Sequence, residues 1–551
     1  MANEQTLANF LRHLNAAVME PDGAWLAWPP DVFAVCAYVL KVSGAYTEVL
    51  REWPPKDTRL AGGDTWAKCA RKVGTAWRDA SAQQAPAPQD VFDLWTIVMS
   101  RSNQSHLLDV AKDRETCQAL LHLVAAADEA CANVGMFSKH DFINEANILL
   151  RTTFTLCKIV PPTVLCVLPK QHTPQSGMTI RSLTHHLSLH IGREVVPHWH
   201  QQPTERPRTT DGRLTLLLAP WPLEVKPRQF APTEPANGLL HEMPEKFGFF
   251  TYEPECDPTD RESTVASWVE SLIQTARDLT GHVDAIVLPE LAVNEEQFRA
   301  LREVAHDAGA MLIAGVFHPA KDGRPARNEV ALAPCGPTPE KGGFNAFQED
   351  VRQSKHHRWQ LDRSQIQTYG LGSALDPNFR WWESSELGER HVNFVVLDDE
   401  LTICCLICED LARQDPVADV VRSVGPNLVI ALLMDGPQLG HRWPARYATV
   451  LADDPGSSVL TLTSAGMTRL SRPPPGRTPS RSIALWKDTS RSEALELELP
   501  HDADGLLLML RSEPVEEWTA DGRSDRASDA SVGGSSFPRL SGVHPIKRKR
   551  P

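Results

Sequence analysis

The chain has 551 residues, 42% of them hydrophobic and 23% charged, and a formal net charge of −14 at pH 7. Its length exceeds what one hydrophobic core organises and predicts two or three units. The acidic balance argues against a general nucleic-acid binder, because phosphate binding needs a basic face. The eleven cysteines include no CxxC metal pair, and the CCLIC run at 404–408 does not have zinc-finger spacing. The odd count and the lack of a secretory apolar region predict a reducing, cytoplasmic setting. The longest apolar runs reach about eight residues, far short of the roughly twenty that cross a bilayer, so no membrane association is expected.

Residues 1–155 read as a helical N-terminal domain. EQTLANFLRHLNAAVM, PDVFAVCAYVLKVSGAY, TWAKCARKVGTAWRDA, DVFDLWTIVMS, CQALLHLVAAADEACANV and FINEANILLRTTFTLCKIV carry apolar residues at helical spacing. Pro-Pro pairs at 29–30 and 54–55 and the segment QQAPAPQ mark breaks between helices. Trp25, Trp28, Trp53, Trp66, Trp77 and Trp95 form either ordinary core or an oligomerisation or partner-docking surface. Nothing in this region has the spacing of a catalytic site.

Residues 156–211 read as a bridge. PPTVLCVLPK predicts a strand and RSLTHHLSLHIGREV a helix, on which His186 and His190 would share one face at metal-ligand spacing. No acidic ligand accompanies them and there is no HExxH motif, so surface or interface histidines are expected rather than a metal site. HQQPTERPRTTDGR is polar and reads as the linker into the next unit, which opens with the strand LTLLLAPWPLEV.

The chemistry concentrates downstream. In DAIVLPELAV, residues 284–293, an apolar strand ends at Pro289 and sets Glu290 at its C-terminal edge. Partial burial there would raise the carboxyl pKa and suit it to proton transfer near neutrality. In RQSKHHRW, residues 352–359, Lys355 stands among histidines. In LTICCLICEDLAR, residues 401–413, a buried strand stops at Cys408-Glu409-Asp410. A thiol at the end of a buried strand has freed backbone N–H groups beside it, so a nucleophile and an oxyanion site can share one turn.

Glu290, Lys355 and Cys408, in that order, resemble the catalytic triad of the carbon–nitrogen hydrolase, or nitrilase, superfamily. The family's hydrophobic-Pro-Glu motif is matched by LPE at 288–290, and its Ile-Cys-x-Asp/Glu motif by ICED at 407–410. AGAMLIAGVF, RNEVALAPCG, PNLVIALLM and RWPARYATVLADDPGSSVLTLTSAGM look like the family's flanking framework, and LLLMLRSE fits a terminal strand. The resemblance covers residues 212–513. It implies an α/β fold, a four-layer α-β-β-α sandwich, preceded here by the all-α N-terminal domain. It also implies a thiol hydrolase of a non-peptide C–N bond in an amide, carbamyl group or nitrile. Cys408 would be the nucleophile, Glu290 the base and Lys355 the oxyanion stabiliser, with Glu409 adjacent to the oxyanion site. This chemistry needs no cofactor and no metal. Family members commonly form dimers and larger spirals, so a homo-oligomer is expected.

The chain departs from the family at one point. A second glutamate usually follows the lysine closely, whereas here the first glutamate after Lys355 is Glu383, beyond the turn-rich TYGLGSALDPN. Lys341 is the nearest competing lysine. The alternative reading is a catalytically inactive or partner-gated assembly or sensing module, its helical domain making protein contacts. Nitrilase-like domains of that kind occur in bacterial antiphage defence. A further alternative, an ammonia-supplying glutaminase, would need a synthetase partner, because the chain carries no GxxxxGK[ST]. Residues 514–551, with SDRASDASVGGSS and the basic IKRKRP, read as a flexible tail.

Overall fold

The structure is a computed structural model that describes residues 5–52, 65–192, 194–202, 213–234, 244–254, 263–321, 325–335, 349–398, 401–473, 476, 478–525 and 535–548. Trp53 and Lys341 lie outside these residues.

Helices fill most of the N-terminal portion, and their ends follow from local chemistry. Leu7–Leu14 starts at Thr6, whose side chain accepts the Asn9 N–H, as an N-cap does. Pro29 and Pro30 open the helix Pro29–Ser43, where a missing N–H does no harm, and Gly44 ends it at φ +71°. Trp66–Ala82, Gln89–Arg101, Arg114–Ala130 and Asp141–Thr153 follow. Trp25, Trp28, Trp77 and Trp95 are buried in the core, and Trp66 stacks on His122 with ring centroids 4.4 Å apart.

The expected helix RSLTHHLSLHIGREV is corrected. Leu187–His190 is a strand, antiparallel to Cys166–Pro169. The buried Asp128 carboxylate accepts the backbone N–H groups of His185, His186 and Leu187. Those donors are thereby withdrawn from any helical ladder, and Leu187 and Leu189 face the core at a two-residue period. His186 and His190 therefore do not share a helix face.

Two large sheets carry the rest. In the first, strands run in the order Val351–Ser354, Arg327–Ala333, Met311–His318, Ala285–Val287, Arg213–Leu218, Gly505–Pro514, Ser536–Ile546. In the second the order is Leu495–Glu498, Ser482–Lys487, Ser458–Thr463, Leu428–Leu433, Leu401–Ile407, His391–Asp398, Val196–Gln201. A small sheet of Gln360–Leu361, Arg380–Glu383, Phe247–Tyr252 and Phe230–Thr233 lies beside them. Leu216, Ile313 and Leu508 of the first sheet and Ile403, Val429 and Leu460 of the second belong to one buried cluster, which extends to Phe33 and Leu120 of the N-terminal helices. The central strands Leu401–Ile407, Leu428–Leu433 and Ser458–Thr463 are buried along their whole length, as strands covered on both faces are. The chain is thus mixed α/β. Among the described residues no helix is long and apolar enough to cross a membrane.

Two segments expected to be outside the folded units are inside them. Val196–Gln201, placed in the bridge, pairs in parallel with His391–Asp398. Ser536–Ile546, placed in the flexible tail, pairs antiparallel with Gly505–Pro514. Low apolar content hid the second strand. It is a sheet edge, where charged side chains and proline are common, here Arg539, Pro538 and Pro545. Arg523, also in the expected tail, is fully buried against Asp128, Glu129 and Asp521.

Candidate active site

Glu290, Lys355 and Cys408 each stand just past the end of a strand of the two large sheets, and Glu383 ends a strand of the small one. Glu290 follows Ala285–Val287, and its turn lies flat on the neighbouring strand Met311–His318. Gly315 donates its N–H to the Pro289 carbonyl at 3.1 Å and accepts from the Ala292 N–H at 3.0 Å. A Cβ on Gly315 would stand 2.6 Å from Glu290 Cα, so only glycine permits this approach. Leu291 completes the turn at φ +52°, a conformation most side chains avoid.

Lys355 follows the edge strand Val351–Ser354, and its N–H donates to the Asn328 carbonyl at 2.9 Å. The ammonium Nζ donates to Glu290 Oε1 at 2.8 Å and to Glu383 Oε2 at 2.6 Å. Asn328 Nδ2 donates to the same two carboxylates, at 2.8 Å to Glu290 and 3.1 Å to Glu383. The second oxygen of Glu290 accepts the Met434 N–H at 2.6 Å, and Glu383 Oε2 accepts the Trp359 N–H at 3.0 Å. Glu290, Lys355, Glu383 and Asn328 are all buried. Buried charges persist when they are paired and hydrogen-bonded, and each of these has at least two partners.

Cys408 ends the strand Leu401–Ile407. Its N–H donates to the Leu432 carbonyl at 2.9 Å, and its backbone sits at φ +46°, ψ −106°. Such a conformation in a non-glycine residue stores strain and clusters at functional sites. Glu409, the first residue of the short helix Glu409–Ala412, has an N–H without an intrahelical partner, while its carboxylate pairs with Arg413. Asp410 is buried. It accepts the His356 N–H at 3.1 Å and lies 3.0 Å from His357 Nδ1. The residue two places after the thiol thereby holds the segment just after Lys355.

Electrostatics follow from burial and pairing. Burial pushes the Glu290 carboxyl up, Lys355 opposes it and Glu383 adds to it, with a net upward shift. Burial alone would lower the Lys355 ammonium, but Glu290 and Glu383 outweigh it, so the lysine stays protonated. Burial also pushes the Cys408 thiol well up; the Glu290 charge adds to this and the Lys355 charge opposes it. The resting site therefore holds a thiol, a carboxyl of raised pKa and a fixed positive charge.

A cavity of about 20 Å³ is lined by Glu290, Lys355, Glu383 and Asn328 and walled by Phe250, Phe317, Trp359 and Met434, without Cys408. That is room for about one water. Among the described residues no group of three or more His, Cys, Asp or Glu is disposed to hold a metal ion.

Sequence reasoning singled out Glu290, Lys355, Cys408 and Glu409. It set Asn328 in a framework strand without a role and left Glu383 aside for its distance from Lys355. The signal for Glu383 was its place after an aromatic pair, RWWE, which forms a strand parallel to Phe247–Tyr252.

No protein-family model and no curated protein matches the chain. Solved structures similar to it include a cysteine-to-serine variant of the Nesterenkonia AN1 amidase from the nitrilase superfamily, at 12% identity over 55% of this chain and 92% of that one, TM-score 0.31. An amidase from Nesterenkonia sp. matches at 13% identity over 54% and 89%, TM-score 0.30. Saccharomyces cerevisiae Nit3, a member of branch 10 of the nitrilase superfamily, matches at 11% identity over 60% and 90%, TM-score 0.28. Likeness at this level carries no argument about chemistry.

Proposed function

We propose that the chain is a thiol-dependent hydrolase of a non-peptide carbon–nitrogen bond, with Cys408 as nucleophile, Glu290 as general base and acid, and Lys355 as oxyanion stabiliser. The observation that supports this most is the buried Glu290–Lys355–Glu383 contact, at 2.8 and 2.6 Å, set between strand ends with a strained cysteine. A purely structural core gains little from two buried acids around one lysine.

Glu290 takes the Cys408 proton as sulfur bonds to the carbonyl carbon, and the carbonyl π pair moves onto oxygen. Lys355 and the Glu409 N–H receive that oxyanion. When the intermediate collapses, the C–N bond breaks and Glu290 returns the proton to the departing nitrogen. A thioester remains. Water then attacks it, giving a proton to Glu290, and the carboxylic acid leaves as the thiol re-forms. Glu383 and Asn328 act as positioning residues that hold Lys355 and Glu290. The raised Glu290 pKa makes its carboxylate a stronger base for the thiol proton.

The cavity of about 20 Å³ favours a site that opens before substrate enters, so partner-gated activity is kept as the second reading. Screening small amides and nitriles against the wild type and Glu290→Gln tests the proposal. Turnover lost in the variant supports it; equal turnover in both removes Glu290 from the mechanism.

A further inference from the structure

Met434, whose N–H binds Glu290, is followed by Asp435, a carboxylate only 5% exposed. One of its oxygens is fully used. Oδ1 accepts the Tyr369 hydroxyl and lies 2.7 Å from Arg442 Nη2. The other, Oδ2, is buried and has no hydrogen-bond partner among the described residues. Tyr369 and Arg442 are themselves held, by the Gly436 N–H at 3.1 Å and the Pro437 carbonyl at 2.9 Å, so the carboxylate is fixed in place.

An unsatisfied carboxylate oxygen out of water is costly, and in native structures it marks a bound water, an ion or a function. Asp435 acts on the nucleophile electrostatically: its charge is among those that raise the Cys408 thiol. The neighbouring Asn328 repeats the pattern. Its Nδ2 serves the two glutamates while its buried Oδ1 has no partner. Ser385 Oγ, which lines the small cavity with Asn328, is also buried without a partner among the described residues. Asp435 and Cys408 lie outside that lining, so a ligand reaches Asp435 Oδ2 only once the site opens. Glu290 and Glu383 share one lysine and Asp435 is balanced by Arg442, so the site is net negative whenever Glu290 is ionised.

We propose that this site takes an amide carrying a protonated amine or another cationic nitrogen group, which docks on Asp435 Oδ2. The inference rests on the thiol-hydrolase reading and names its substrate class. The cation's N–H would supply the donor that Oδ2 lacks, and its charge would offset the net negative site. The opposing influence is Arg442 with Arg472 and His441, which line a separate basin of about 440 Å³ and would favour an anion.

Charged thiol reagents test this without knowing the substrate. Cys408 in the full-length protein is modified with neutral methyl, cationic trimethylammonioethyl and anionic sulfonatoethyl methanethiosulfonate. Each rate is read by peptide mass mapping and divided by the rate with free 2-mercaptoethanol. We expect the cationic reagent to outpace the anionic one by about tenfold, and Asp435→Asn to bring the ratio towards one. A wild-type ratio near one assigns Oδ2 to an ordered water and overturns the inference, as does a preference for the anion, which would favour the arginine basin. The wild-type ratio decides the matter even if the variant folds poorly. If even the neutral reagent leaves Cys408 unmodified while other cysteines react, the ungated thiol-hydrolase reading fails, and with it this inference for the chain alone.

Discussion

Asp410 accepts the backbone N–H of His356 at 3.1 Å, which ties the turn that carries the cysteine to the segment that carries the lysine. The contact links residues 54 positions apart across two different sheets. Asp410→Ala removes the acceptor of a buried N–H, a change that destabilises by about 1–3 kcal/mol. We expect a lower urea midpoint and slower alkylation of Cys408 in the folded protein. An unchanged alkylation rate would show that Asp410 does not hold Lys355 in register.

Lys355 compensates two buried carboxylates at once. Lys355→Met leaves them facing each other without a cation, and removing one member of a buried ion pair costs about 3–5 kcal/mol. Glu383→Gln leaves the Lys355–Glu290 pair in place and should cost less. Urea unfolding of both variants checks the order; a Lys355→Met protein as stable as wild type would contradict the buried triad.

Glu290 is held above the ordinary glutamate value of 4.5 by burial, which Lys355 only partly offsets. The folded protein binds this proton more tightly than the unfolded chain. The group's stabilising contribution is therefore full below the unfolded value and is lost as pH rises through the folded one. Reactivity runs the other way, since only ionised Glu290 can accept the thiol proton. Cys408 alkylation should rise with pH through a step above 4.5, and Glu290→Gln should remove that step. A wild-type profile that lacks the step would exclude Glu290 as the base.

Gly315→Ala adds one methyl group under Glu290, 2.6 Å from its Cα and 2.7 Å from the Leu291 N. Backbone, not a flexible side chain, must move. We expect the variant to lose about 1–3 kcal/mol of stability and most of its Cys408 reactivity. Retention of both would mean the Glu290 turn tolerates displacement.

The site was legible where one strand ends in one reactive residue. LPE and LICED each show an apolar run stopping at a charge or thiol, and both patterns are local. Glu383 was not legible, because Trp359 and the small sheet bring it back to Lys355 through three-dimensional packing. Leu187–His190 was misread because the residue that sets its conformation, Asp128, lies far away in the chain. The strand Ser536–Ile546 was missed for a similar reason. Its pairing is backbone to backbone with Gly505–Pro514, and its polar side chains carry no strand period.

The central claim is that Cys408 is a nucleophile activated by Glu290. The direct measurement is iodoacetamide labelling of the native protein at neutral and mildly acidic pH, followed by peptide mapping. We expect Cys408 to react far faster than buried thiols such as Cys404 and Cys36, and Glu290→Gln or Lys355→Ala to slow it. Labelling of Cys408 no faster than those thiols, with no effect of either substitution, would contradict the assignment.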